Sequence, residues 1–320
     1  MTKPAKSEAE MENAWPWIIA ALAAHTGWGA YPVLGRYLQT VTLLPSMSLL
    51  ALGSAVALVA LLLVVRPRLQ LRLFRTPLMW FFIVVLITRA TTNLLATRFT
   101  LAIYVQLITL MTPFLVVLIS ATLLHEKLPP YTGRAIVAAT IGALLMMSSD
   151  LSQANLGLAF TPEDWLGMGL AFGSSLTLAL YMIIVRRSVR HQIPGKSMLL
   201  VQLSAILAFS LLASQILGEQ WQRWTTMTPF DWLIFGAFSL GVLFGANIGQ
   251  VGALQHLGAP MVSSLLAWRL VSALVFAALL LDERLTSFWQ LLGAFIVLIT
   301  VTWYLRQQRN NQAPPSAAGL

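Results

Sequence analysis

Two stretches decide how this chain is read: TPFLVVLISATLLHEKLPPY at residues 112–131 and RLVSALVFAALLLDERLTSF at residues 269–288. Laid over one another at a constant offset, they set Glu126 on Glu283, Lys127 on Arg284 and Leu128 on Leu285. A second pair, WGAYPVLGRY (28–37) on LALYMIIVRR (178–187), sets Tyr31 on Tyr181 and Arg36 on Arg186. The chain therefore reads as a duplication, and the duplicated unit is built of apolar runs. A transmembrane helix needs roughly 20 mainly apolar residues, because about 30 Å of hydrocarbon is crossed at about 1.5 Å per residue. Ten such runs begin near Trp15, Leu44, Leu78, Leu101, Thr132, Trp165, Met198, Trp232, Ala259 and Phe288. They end near Tyr37, Val65, Ala96, Leu124, Met147, Val185, Leu217, Ala253, Leu281 and Leu305.

Composition agrees with that reading. Of 320 residues, 58% are hydrophobic and only 10% charged, where a soluble domain has about 25% charged residues; the mean hydropathy is +0.78. The expected fold is an all-α membrane protein of ten transmembrane helices in two inverted five-helix repeats. Its parts are a cytoplasmic tail (1–14), a first repeat (15–148), an outer connection (149–164), a second repeat (165–305) and a second cytoplasmic tail (306–320). The first apolar run is too long for a signal-peptide core and is read as a retained span. Both tails are polar and expected to be disordered.

Short cytoplasmic loops are enriched in Lys and Arg. With both termini inside, the cytoplasmic segments hold Lys3, Lys6, Arg66, Arg68, Arg72, Arg75, Lys127, Arg134, Arg186, Arg187, Arg190, Lys196, Arg306 and Arg309, and the outer ends only Arg36, Arg98, Arg223 and Arg284. Fourteen against four supports an even number of spans. It also explains most of the net charge of +9 as topology, so a lipid bilayer is the expected partner and nucleic acid is not. Nine of the eleven tryptophans fall at expected helix ends, where the headgroup layer suits an amphipathic ring; Trp28 and Trp268 do not. The chain has no cysteine, which removes disulfides and thiolate metal sites.

An odd number of spans per repeat inverts the second half relative to the first, so Glu126 falls on the inner side and Glu283 on the outer. Inverted repeats are the architecture of alternating-access carriers, because one pattern built in two orientations yields two nearly equivalent states. The alternative is a duplication kept only for packing.

The residues at this point resemble a known family. LLHEKLPPYTGRAIVAATIGALLMM and LLDERLTSFWQLLGAFIVLITV, each an apolar-Glu-basic-Leu helix end followed by a Gly-containing helix, look like the EamA type of the drug/metabolite transporter superfamily. The resemblance extends from about Trp15 to Leu305. It implies a secondary carrier that exports or exchanges amino acids or other small metabolites, with a central cavity lined by spans 1, 3, 4, 6, 8 and 9, in a bacterial cytoplasmic membrane. The mid-span arginines at 89 and 269 depart from the looser pattern.

Those arginines are the main functional signal. A charge at bilayer depth costs about 2.5–3.5 kcal/mol on insertion scales and is a functional candidate by default. Arg89 lies about a dozen residues into span 3 and Arg269 about ten into span 9, while every acidic residue sits in a tail, a loop or a helix end. Either backbone carbonyls and water satisfy the two guanidiniums or the cargo does. Arg offers a planar fork suited to carboxylate or phosphate, so the expected cargo carries a negative group and Arg269 is placed to meet it. Helical spacing adds Asn93 beside Arg89, His25, Trp28 and Tyr31 on span 1, Gln106 and Thr109 on span 4, Ser174 and Tyr181 on span 6, and Asn247 and Gln250 on span 8. His25 is a ligand or proton carrier, or else a hydrogen-bonded spacer. Trp28 and Trp268 either stack on cargo or pack; Trp268 and Arg269, about 100° apart, cannot both face the cavity centre. Glu126 and Glu283 are the candidate gate residues, with a surface salt bridge as the plainer alternative. Gly27, Gly29 and Pro32 interrupt span 1, Pro113 follows the start of span 4, and span 8 carries Gly245, Gly249 and Gly252.

No P-loop is present, no cofactor or metal is expected, and the protein is expected to act as a monomer or homodimer on a small-molecule substrate. Two other classes compete. A membrane-embedded enzyme needs an acid, base or metal cluster at depth, yet the four histidines are scattered. A channel or structural subunit would lack the binding chemistry, and no charged ring or repeated selectivity loop is visible.

Overall fold

The computed structural model describes residues 15–67, 74, 76–125, 131–147, 161–190, 194–257, 265–285 and 287–312. Glu126, the end of the C-terminal tail and most of the 149–164 connection lie outside the described residues. All regular structure among the described residues is helical, as the bilayer demands: with no water to satisfy them, backbone groups in hydrocarbon must pair within their own segment.

The order is α1 (Trp15–Arg36), a π-turn (Tyr37–Val41), α2 (Ser46–Val64), α3 (Pro77–Phe99), α4 (Ala102–Thr109), α5 (Thr112–Leu124), α6 (Thr132–Met147), α7 (Pro162–Arg190) and α8 (Gly195–Ile216). A 3₁₀ turn (Trp221–Thr226) leads into α9 (Pro229–Gly236), a π-helical stretch (Ala237–Ala246) and α10 (Asn247–Leu257), followed by α11 (Trp268–Leu280) and α12 (Phe288–Gln312). Proline opens α3 and α9, where its missing N–H would be unpaired in any case. Thr228 and Asp231 cap α9 reciprocally. Pro113 stands at the start of α5, and the helix breaks at Leu110 and Met111 just before it. Pro32, by contrast, leaves α1 continuous to Arg36.

Seven helices among the described residues are long and apolar enough to cross a membrane. Three expected spans fall outside that set for different reasons. Trp15–Arg36 has 22 residues, but His25, Thr26, Tyr31 and Arg36 dilute its hydropathy. Thr132–Met147 has 16 residues. Trp268–Leu280 has 13, preceded by a turn at residues 265–267; residues 259–264, the start of the expected span, lie outside the described residues. Helix pairing is regular: α2 packs on α8, α6 on α12, α3 on α7, α5 on α7, and α1 on both α10 and α11. At the α1–α11 crossing, a Cβ on Gly29 would collide with the Arg269 carbonyl oxygen, so only glycine lets the two backbones meet there. Large apolar side chains such as Leu63, Val64, Ile216 and Leu279 remain exposed on the perimeter, the surface a lipid tail would cover. Trp224 departs from the headgroup expectation, being buried with its Nε1 donating to Ser48 Oγ at 3.2 Å.

Candidate functional site

Most of the candidate polar residues converge on the middle of the bundle. The Phe82 ring stacks on Tyr181 at 5.6 Å, and the Arg89 guanidinium lies over Tyr181 at 5.1 Å and over Trp28 at 5.4 Å. The Arg269 guanidinium also lies over Trp28, at 5.7 Å. Each desolvated cation–π contact is worth about 2 kcal/mol, comparable to the ~2.5–3.5 kcal/mol cost of the charge at depth. Aromatic faces thus stand where ion pairs would be expected, and Trp28 also holds Tyr31 at 6.0 Å.

The two arginines differ in what else they do. Arg269 is buried; its Nε donates to His25 Nδ1 at 2.9 Å and its Nη2 to Gln250 Oε1 at 3.5 Å. The Arg89 guanidinium has no hydrogen-bond acceptor or carboxylate partner among the described residues, whose ion pairs are Arg36 with Glu283 and Arg284 with Asp282. Its backbone carbonyl accepts from Ser174 Oγ at 3.3 Å, which fastens α3 to α7. A small cavity of about 40 Å³ opens beside it, walled by Trp28, Tyr31, Ser54, Arg89, Asn93, Gln202 and Asn247 and by the apolar Leu50, Leu86, Leu203, Ile206 and Leu243. Among the described residues, no acidic side chain lines it.

This geometry changes the expected assignment. Of the two candidate arginines, Arg89 lines the cavity, whereas Arg269 is tied to His25 and Gln250 and does not reach its wall. His25 accepts from a guanidinium through Nδ1, so protonating that atom requires Arg269 to let go. The cavity draws on α1, α2, α3, α8, the π-helical stretch and α10; spans 4, 6 and 9 stay out of its wall. Tyr181 lies beneath Arg89 and donates its hydroxyl to Gln202 Oε1 at 3.2 Å. Gln106 is buried elsewhere, its Nε2 without a partner. Trp268 is 44% exposed and donates to Thr26 Oγ1 at 2.9 Å, turned away from the cavity. Sequence reading missed Ser54 and Gln202; a single polar residue in each of LALGSAV and LLVQLSA was the available signal.

Glu283 sits far from this centre, at one end of the bundle. Its carboxylate pairs with Arg36 Nε at 2.9 Å and accepts from the N–H groups of Ala102 and Ile103 at 3.4 Å each. Arg36 also donates to the carbonyls of Thr97 and Thr100. At the same end, Asp231 accepts from Tyr37 at 3.0 Å, Asp164 from Thr100 Oγ1 at 2.9 Å, and Glu219 from the N–H groups of Met47 at 2.9 Å and Ser48 at 2.7 Å. The partner of Glu283 is therefore Arg36 on α1, and its sequence neighbour Arg284 pairs instead with Asp282 at 2.9 Å.

Comparison with known proteins places this architecture. Residues 15–148 match the EamA-like transporter family. A solved structure titled only as the crystal structure of a protein is similar in fold, with a TM-score of 0.58 at 18% identity, covering 93% of this chain and 99% of that one. No curated protein sequence matches significantly. Over residues 15–148 the chain is thus similar to the EamA-like transporter family, and its long apolar helices make it an integral membrane protein.

Proposed function

We propose that the protein is a secondary carrier of a small polar metabolite, an amino acid or organic anion bearing a carboxylate or phosphate, working by alternating access as an exporter or exchanger in a bacterial cytoplasmic membrane. The observation that carries this reading is Arg89: a guanidinium on the wall of a central cavity, held by aromatic faces and lacking a carboxylate among the described residues. A partly buried cation that keeps its hydrogen-bond donors unpaired is suited to an anion that comes and goes.

Helix pairing supports ten spans in two inverted repeats. If the apolar helices are numbered as spans, the contacts 2 with 7 and 5 with 10 map onto themselves when the halves are exchanged. The contact of 1 with 9 exchanges with that of 6 with 4, and 3 with 6 exchanges with 8 with 1. The family match over residues 15–148 has the extent of one such repeat. On this reading the end closed by Arg36, Glu283, Asp231 and Glu219 is the outer gate, and the cavity beside Arg89 is the cargo site. Purified protein in liposomes loaded with unlabelled organic acids is expected to show saturable, counterflow-stimulated uptake of labelled acid. Flux that never saturates, or none that responds to internal anion, would replace the carrier with a channel or a structural subunit.

A further inference from the structure

The cavity wall leaves two buried polar atoms without partners, the indole N–H of Trp28 and the hydroxyl of Ser54. Such an orphan costs about 1–3 kcal/mol. The indole nitrogen can only donate, the hydroxyl can donate, and the guanidinium of Arg89 brings five more N–H groups. The amide nitrogen of Asn247 is already engaged, donating to the Leu243 carbonyl at 2.7 Å, and Gln202 Oε1 already accepts from Tyr181. The wall is rich in free donors, and its acceptor supply is partly taken.

The same wall is poor ground for a cation. Among the described residues it contains no carboxylate. Trp28, the aromatic face that might hold an ammonium group, already lies under two guanidiniums, and Tyr181 lies under one of them. A third positive charge at those rings would be repelled by the two present.

Resting on the reading of this cavity as the cargo site, we infer that the cargo is a small organic acid without a charged amine, carrying an uncharged acceptor oxygen next to its carboxylate, that is, a 2-oxo or 2-hydroxy acid. Arg89 takes the carboxylate, and Trp28 Nε1 and Ser54 Oγ donate to the second oxygen. A site built around unpaired donors discriminates steeply against an analogue that cannot accept from them.

The test uses the full chain in liposomes and two sets of probes, each sharing one carbon skeleton: pyruvate, lactate, propionate and alanine, and phenylpyruvate, phenyllactate, phenylpropionate and phenylalanine. In the set that fits the cavity, counterflow of the oxo or hydroxy acid is expected to exceed that of the amino acid by about tenfold or more, with the plain acid between them. Trp28→Phe keeps a ring beside both guanidiniums but removes the donor, and Ser54→Ala removes the hydroxyl. Either change is expected to shrink the ratio of hydroxy acid to plain acid by about fivefold, the loss of one hydrogen bond of roughly 1 kcal/mol. Amino acid exchanging as fast as hydroxy acid, or an unchanged ratio in both variants, overturns the inference and leaves an anion carrier standing. No exchange of any acid overturns the carrier reading, and this inference with it.

Discussion

Arginines are held in opposite ways at two places in this molecule. At the Glu283 end, Arg36 meets a carboxylate at 2.9 Å and two backbone carbonyls, while Glu283 also caps the start of α4. In the centre, Arg89 and Arg269 lie over aromatic faces 5.1 to 5.7 Å away, and only Arg269 gains hydrogen bonds. The first arrangement neutralises its charge within the protein. The second tolerates the charge but leaves it uncancelled, because a ring quadrupole attracts a cation without taking up its N–H groups. A paired arginine holds helices together; an unpaired one is available to an anion.

The comparison breaks most sharply at Arg89. Arg89→Gln is expected to lower counterflow by about a hundredfold, since a charge-assisted bidentate contact of roughly 3 kcal/mol is lost. Thermal unfolding in detergent should move by no more than about 2 °C, because removing an unpaired, partly buried cation also removes its desolvation cost. A large fall in melting temperature would make Arg89 structural.

Next comes the Glu283 end. Arg36→Gln strands a buried carboxylate, and the end should open. A single cysteine introduced at Asn93, in a chain that has none of its own, is then expected to react about tenfold faster with a membrane-impermeant maleimide, for a shift of about 1.4 kcal/mol. Adding Glu283→Gln should reverse the gain, because it removes the stranded charge. If the double variant labels as fast as the single one, Arg36 acts through the Thr97 and Thr100 carbonyls alone.

Arg269→Gln should have the reverse profile of Arg89→Gln. Its bond to buried His25 is worth about 1.5–3 kcal/mol, which lowers the melting temperature by about 3–8 °C, whereas counterflow should fall less than in Arg89→Gln. Equal transport defects in the two variants would return Arg269 to the cargo site.

The smallest effect is that of pH on the Glu283 end. Burial raises the Glu283 carboxyl above its ordinary value, and Arg36 with the two N–H groups only partly opposes this. A group whose value is raised in the closed form favours that form below its open-form pKa, and loses the advantage as pH rises through the closed-form value. Acidifying the side that Glu283 faces should therefore slow labelling at position 93 by about two- to threefold, an effect of roughly half a kcal/mol. Faster labelling in acid would mean that the ion pair with Arg36 outweighs the cost of burying the carboxylate.

Much of this was legible in the chain itself. The helical membrane class follows from composition and from ten runs of bilayer length. The mid-span position of Arg89 was enough to mark it, and its spacing from Asn93 put the two on one face. Trp28 stood out because it lies away from the headgroup layer. The failures were geometric. Trp268 and Arg269 are adjacent, and which of them turns inward depends on how α11 rotates against α1, a choice made by the contact at Gly29. Ser54 and Gln202 are ordinary polar residues in apolar helices, and only the neighbours that converge on them make them part of a wall.

The amino-acid sequence determined that the chain must bury its backbone polar groups in helices and must keep two positive charges at bilayer depth, because hydropathy and charge are properties of residues. Which of those charges keeps its donors unpaired was decided by tertiary structure. His25 and Arg269 are 244 residues apart in the chain, and no local pattern can encode a hydrogen bond that exists only where α1 crosses α11.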